Sequence, residues 1–122
     1  TPDVTILATG SEVGMAVAVA ETCADRLSTR VVSVLSLETF ATVDGTERDR
    51  IVGGQNVPVV AVEAGVRAGW ERLTGGRADR VLGIDRFGES GRGDEVAEHL
   101  GFTESALETM VRAAAGDTDG IR

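Results

Sequence analysis

Apolar residues arrive in two rhythms along this chain. The run Val4-Thr5-Ile6-Leu7-Ala8 is nearly continuous and stops at Gly10, as suits a strand buried on both faces. Arg30–Leu35, Val57–Glu63 and Arg80–Ile84 read the same way. Pro58 fits only near the start of its strand or on an edge, since it has no amide to donate. Between the first two runs, Val13, Ala16, Val17, Ala20, Ala24 and Leu27 recur at three- and four-residue spacing, the stripe of a helix. Glu12, Glu21, Asp25 and Arg26 fall largely off that stripe. Ser11 stands where its hydroxyl would cap the helix, and Gly14 weakens helix propensity while allowing close approach.

Further along, Ser36 caps a short turn through Leu37 to Phe40, and Thr46–Val52 reads as a short polar helix. Gly53-Gly54-Gln55-Asn56 is a loop, and a short helix is expected near Trp70 to Leu73. Gly88 to Gly93 is a glycine-rich loop, after which Asp94 opens a helix through Leu100. Thr103 caps the last helix, which places Leu107, Met110, Val111 and Ala114 on one face. Four apolar strands alternating with helices predict an α/β fold: a three-layer α/β/α sandwich on a mainly parallel sheet of four strands, with right-handed crossovers. The length fits one domain, residues 1–115. Residues 116–122 lack an apolar pattern and are expected to form a frayed, flexible tail.

Composition narrows the function classes. Of the 122 residues, 42% are hydrophobic and mean hydropathy is near zero, as in soluble globular domains. No apolar run approaches the ~20 residues of a membrane span, and the start at Thr1 shows no secretory leader. The formal net charge is −8, and every one of the 12 basic residues is arginine. Without a clustered basic surface, nucleic acid is excluded as an expected partner. One Cys and one His leave no basis for a zinc site. The lone Cys23 cannot form an internal disulfide, which fits a cytoplasmic location.

Each candidate site has a plain structural reading beside it. Gly10 and Ser11 begin a helix whose amides could hold an anion. A dinucleotide fingerprint needs three spaced glycines, however, and only Gly10 and Gly14 are present. The structural reading is therefore a turn at Gly10, a cap at Ser11, and Glu12 at the positive helix end. Glu63 ends the third strand, where α/β sheets place functional groups. No second titrating partner stands at a useful spacing, so loop anchoring or an interface contact outweighs acid–base chemistry. Asp85, Arg86, Phe87 and Gly88 follow the fourth strand; Arg86 could meet a phosphate, but a structural loop is the simpler account. Arg92-Gly93-Asp94 is an adhesion tripeptide too short to carry meaning. His99 reads as a surface residue, since no nucleophile and carboxylate converge on it. Cys23 and Trp70 read as packing residues. No residue is assigned a catalytic, cofactor-binding or metal-binding role.

Taken together, certain segments resemble the C-terminal domain of transketolase over about Pro2 to Ala115. They are Pro2-Asp3-Val4 leading into Ala8-Thr9-Gly10-Ser11-Glu12-Val13; Arg30-Val31-Val32-Ser33 before Ser36, Glu38 and Phe40; Val62-Glu63-Ala64-Gly65 with Trp70; and Gly83-Ile84-Asp85-Arg86-Phe87-Gly88-Glu89-Ser90 ahead of Leu100-Gly101-Phe102-Thr103. The resemblance implies an enzyme that moves a two-carbon ketol unit between sugar phosphates, using thiamine diphosphate and a divalent metal such as Mg. In that family the first two domains hold the cofactor and form active sites between subunits. The third packs against them and supports a homodimer. This chain alone is thus expected to bind no cofactor and to be non-catalytic, with the thiamine-binding domains as its partners.

Two departures qualify the match. Gly91 and Arg92 stand where the family usually has Ala-Pro. The short antiparallel strand that normally precedes Pro2-Asp3 is missing, which implies an unpaired sheet edge and a fragment or a split subunit. Two rival readings remain. One is a binding module for a phosphorylated small molecule, held by Gly88–Gly93 and the Gly10-Ser11 helix start. The other is the equivalent domain of a 2-oxo acid dehydrogenase E1 component.

Overall fold

The computed structural model describes residues 1–35, 40, 42–63, 74, 80–83 and 103–117, apart from the side chain of Ser11. Four strands, β1 (Val4–Thr9), β2 (Thr29–Val34), β3 (Val59–Glu63) and β4 (Val81–Gly83), form one sheet in the order β2-β1-β3-β4. Every pairing is parallel. Three α-helices are described: α1 (Val13–Thr22), α2 (Gly45–Val52) and α3 (Glu104–Ala115). This is the α/β architecture that the alternating pattern predicts.

The two-residue period of a strand sorts the core into two layers. Val4, Ile6 and Ala8 of β1, with Val60 and Val62 of β3, face one cluster that also holds Ala16, Val19 and Cys23 and, from α3, Leu107, Val111 and Ala114. Leu7, Val59 and Ala61 face the other, with Phe40 and with Val52 of α2. Helices α1 and α3 therefore cover one face of the sheet and α2 the other. All six residues of β1 are buried, which explains why its apolar run is continuous rather than alternating. The edge strand β2 is only partly covered, with Arg30 and Ser33, one on each face, exposed.

Element boundaries differ from the sequence reading where local hydrogen bonds intervene. The stripe extends the first helix to Leu27, but α1 stops at Thr22. Turns follow, with the Leu27 amide donating to the Cys23 carbonyl. The chain has to leave the helix there to start β2. Asp3 clamps that exit: its amide donates to the Ser28 carbonyl and its carboxylate accepts from the Ser28 amide at 2.8 Å. Leu27 keeps its place against the core as a partly buried residue. The third strand begins at Val59 rather than Val57 because Pro58 has no amide for the ladder. The Pro58 carbonyl still accepts from the Thr5 amide.

Both later helices end on a left-handed glycine, Gly53 (φ 101°) and Gly116 (φ 79°). After α3, the Gly116 amide donates to the Ala113 carbonyl and the Asp117 amide to the Arg112 carbonyl, which is the Schellman closure. Gly116 and Asp117 belong to the segment expected to be a frayed tail, and both are bonded into the fold. The cause is this closure together with an ion network described next. The short helices expected at Trp70–Leu73 and Asp94–Leu100, the Ser36 turn and the rest of the tail lie outside the described residues.

Candidate functional site

The C-terminal edge of the sheet is where the sequence places its candidates, and the register shows how they line up. Thr9 pairs with Val34 on one side of β1, Ala8 pairs with Val62 on the other, and Glu63 pairs with Gly83. Thr9, Val34, Glu63 and Gly83 therefore form one row across the end of all four strands. Beyond Thr9 the chain turns through Gly10 (φ 44°) into a single 3-10 turn, Gly10–Glu12. The turn closes on backbone, the Val13 amide donating to the Gly10 carbonyl.

No described residue comes within 4 Å of a Cβ at Gly10, and its positive φ by itself favours glycine there. Neither Thr9 nor Glu12, the residues that flank this start, makes a side-chain cap, and the expected hydroxyl cap of Ser11 lies outside the described residues. Gly14 corrects another expectation. Among the described residues no neighbour stands within 4 Å of a Cβ built there, so none of them makes the close approach.

Glu63 is partly buried at the end of β3, with carboxylate Oε2 shielded from water. Its neighbours in the row are a threonine, a valine and a glycine, none of which can exchange a proton with it at neutral pH. Among the described residues no group of three or more His, Cys, Asp or Glu gathers to hold a metal. Asp85, Arg86, Phe87, Gly88, the Gly88–Gly93 loop, Arg92, Gly93, Asp94, His99 and Trp70 lie outside the described residues.

Cys23 is fully buried at the C-terminal end of α1. Burial pushes its thiol up, against an opposing pull from the nearby Arg112 guanidinium. A thiol so placed packs as a small hydrophobe rather than acting as a nucleophile.

The most organised polar cluster was not among the sequence candidates. Arg26 Nε donates to both carboxylate oxygens of Asp117, at 2.9 and 3.0 Å. Arg112 Nη1 donates to Asp117 Oδ2 at 2.8 Å, and Arg112 Nε to Glu108 Oε2 at 3.0 Å. The Asp117 and Arg112 side chains are only 7% and 8% exposed. Charge-assisted bonds of this kind are the strong ones, and they hold the Asp117 carboxyl below its usual range, Arg26 contributing most. The cluster ties the turn after α1 to the end of α3. Its single sequence signal is Gly116 after an amphipathic helix; the partners of Asp117 are too distant along the chain to be read.

The geometry is that of a well-packed α/β domain whose described strand ends carry one carboxylate and no convergent reactive set. Residues 1–103 match the family model described as the transketolase-like TK C-terminal domain. The chain belongs to the transketolase C-terminal domain family. It is 45% identical over 114 residues to "Transketolase 2" of Xanthobacter flavus, covering 91% of this chain and 16% of that protein. Transketolase from Leishmania mexicana superposes with a TM-score of 0.80 at 33% identity, over 99% of this chain and 18% of that one. A chain described as "Split gene transketolase, inactive beta4 tetramer" shares the fold at a TM-score of 0.64 and 24% identity, over 93% of this chain and 39% of that one.

The chain thus spans about one-sixth of the length of the Xanthobacter transketolase. Transketolase chemistry requires a diphosphate cradle and metal ligands. The described residues supply neither a metal-ligating group nor a phosphate-loop sequence, so they do not fit that cofactor.

Proposed function

We propose that this chain serves as the C-terminal, assembly-supporting domain or split subunit of a transketolase-type enzyme. That enzyme would transfer a two-carbon ketol unit between sugar phosphates in the cytoplasm. Thiamine diphosphate and Mg would be held by the enzyme's other domains, the complete enzyme would be a homodimer, and the isolated chain would be non-catalytic. The observation that carries this reading is the match of 91% of the chain to 16% of a transketolase.

The surface of α1 supports it. The helix Val13-Gly14-Met15-Ala16-Val17-Ala18-Val19-Ala20 is apolar on every side, and such helices belong inside a larger body. In this chain Ala16 and Val19 are buried, whereas Gly14 and Val17 face outward, Val17 being 41% exposed. Leu35, just after β2, is 95% exposed. A partner domain seated over these positions would remove them from water, each fully buried large side chain contributing roughly 1.5–3 kcal/mol.

Reconstitution tests the reading. The chain is mixed with the separately expressed thiamine-binding domains of a transketolase, and ketol transfer is measured with and without it. Activity that requires both parts is the expected result. Micromolar thiamine diphosphate binding to the isolated chain, or turnover by it unaided, would overturn the assignment.

A further inference from the structure

A cleft of about 400 Å3 opens at the opposite edge of the sheet, where the strands begin. It lies between the end of α2, the loop before β3 and the residue that precedes β4. Arg48 lines it from α2 and Arg80 from just before Val81; Gln55 and Asn56 line it from the loop, together with Thr74 and Asp49. Among the described lining residues, two arginines from different elements thus border one cavity beside a single carboxylate, in a chain whose net charge is −8. Arg48 Nε is shielded from water. Arg48 and Thr74 each hold interactions within the protein as well.

Guanidiniums present planar forks that match phosphate oxygens, and they are weakly hydrated, so enclosure costs them less than it would a lysine. The amides of Gln55 and Asn56 and the hydroxyl of Thr74 can donate to or accept from hydroxyl groups. The volume exceeds what a bare oxyanion fills and lies within the roughly 300–1,000 Å3 of small-molecule sites. Arginine pair, neutral polar wall and volume together favour an anionic head on a short polar body.

We propose that this cleft binds a small phosphomonoester, with its phosphate between Arg48 and Arg80 and its hydroxyl groups against Gln55 and Asn56. The site lies at the opposite edge of the sheet from the strand ends that carry Thr9, Val34, Glu63 and Gly83.

The test is a titration of the full, 15N-labelled chain with glycerol phosphate, with inorganic phosphate, and with glycerol alone. Glycerol phosphate is expected to give saturable shifts of the Arg48 and Arg80 Nε–H resonances and of the Gln55 and Asn56 amides. Inorganic phosphate is expected to bind the same groups more weakly, and glycerol not at all. Arg80→Gln and Arg48→Gln should each weaken binding about tenfold or more, the loss of one charged hydrogen-bonding partner. Arg50→Gln, a change on the exposed face of α2, should leave it unchanged. A spectrum otherwise like the parent's shows that a variant is folded; if one variant is not, the other decides. Linear shifts, shifts shared equally by Arg50, or full affinity in the folded variants would overturn the site. Inorganic phosphate binding as tightly as glycerol phosphate would overturn the phosphomonoester.

Discussion

The Thr5 hydroxyl donates to the carbonyl of Val52 at 2.6 Å, 47 residues away along the chain. Thr5 is fully buried in the central strand, and Val52 is the last residue of α2, 3% exposed. A helix leaves its last four carbonyls without helical partners. One of those at the end of α2 is thus met by the sheet itself, in a place closed to water. Thr5→Val keeps the shape and strands that carbonyl. The expected loss is about 1–3 kcal/mol, the cost of a buried unsatisfied acceptor, read from urea unfolding. Thr5→Ser should recover most of the bond, while a Thr5→Val protein as stable as the parent would show that the bond contributes nothing net.

The Asp117 cluster makes stability depend on acid. Its folded pKa is lowered, first by the bonds from Arg26 and then by those from Arg112, so folding favours the charged form. The contribution is fully present above the ordinary aspartate range and drains away as pH falls through the lower, folded value. Asp117→Asn should therefore be less stable than the parent at neutral pH, with the gap closing as the solution is acidified below the ordinary aspartate range. Thermal unfolding across a pH series checks this. A gap that stays constant with pH would show the effect to be packing rather than charge.

Two glycines respond oppositely to alanine. Gly53 has φ 101°, and a Cβ there would sit 2.7 Å from Pro2 Cδ. Gly53→Ala combines a disfavoured backbone region with a clash against a rigid ring, an expected loss of about 1–3 kcal/mol. Gly14 lies in α1, where no described residue stands within 4 Å of its missing Cβ. Gly14→Ala should raise the stability of the isolated chain by up to ~1 kcal/mol through helix propensity. The two midpoints in denaturant should move in opposite directions.

Leu107 is fully exposed to the core and not at all to water. It sits on the face of α3 that packs with α1 against the sheet. Leu107→Ala should cost about 2–5 kcal/mol from lost burial and the cavity left behind. Differential scanning calorimetry would register this as a much lower transition temperature.

The sequence made the strands and the core face of α3 readable because each is decided locally. Val4-Thr5-Ile6-Leu7-Ala8 can only be a strand shielded on both sides, and Leu107, Val111 and Ala114 can only share one side of a helix. Thr103 was legible as a cap for the same reason: its oxygen reaches an amide three residues on, at 3.1 Å. Asp44 could have been read likewise, since it accepts from the Thr46 and Glu47 amides. The polar character of α2 draws attention away from it. The Asp117 cluster could not be read, because Arg26 lies 91 residues away and no pattern in either segment names the other. The two arginines of the cleft share that limit: Arg48 and Arg80 come to line one cavity only through the order in which strands are laid down.

Strand β1 opens the chain yet occupies the interior of the sheet, with β2 on one flank and β3 on the other. Along the chain it precedes both neighbours, and its second flank stays open until Val59–Glu63 is laid down. Losing β1 would therefore cut the sheet in two, whereas losing β4 would only narrow it.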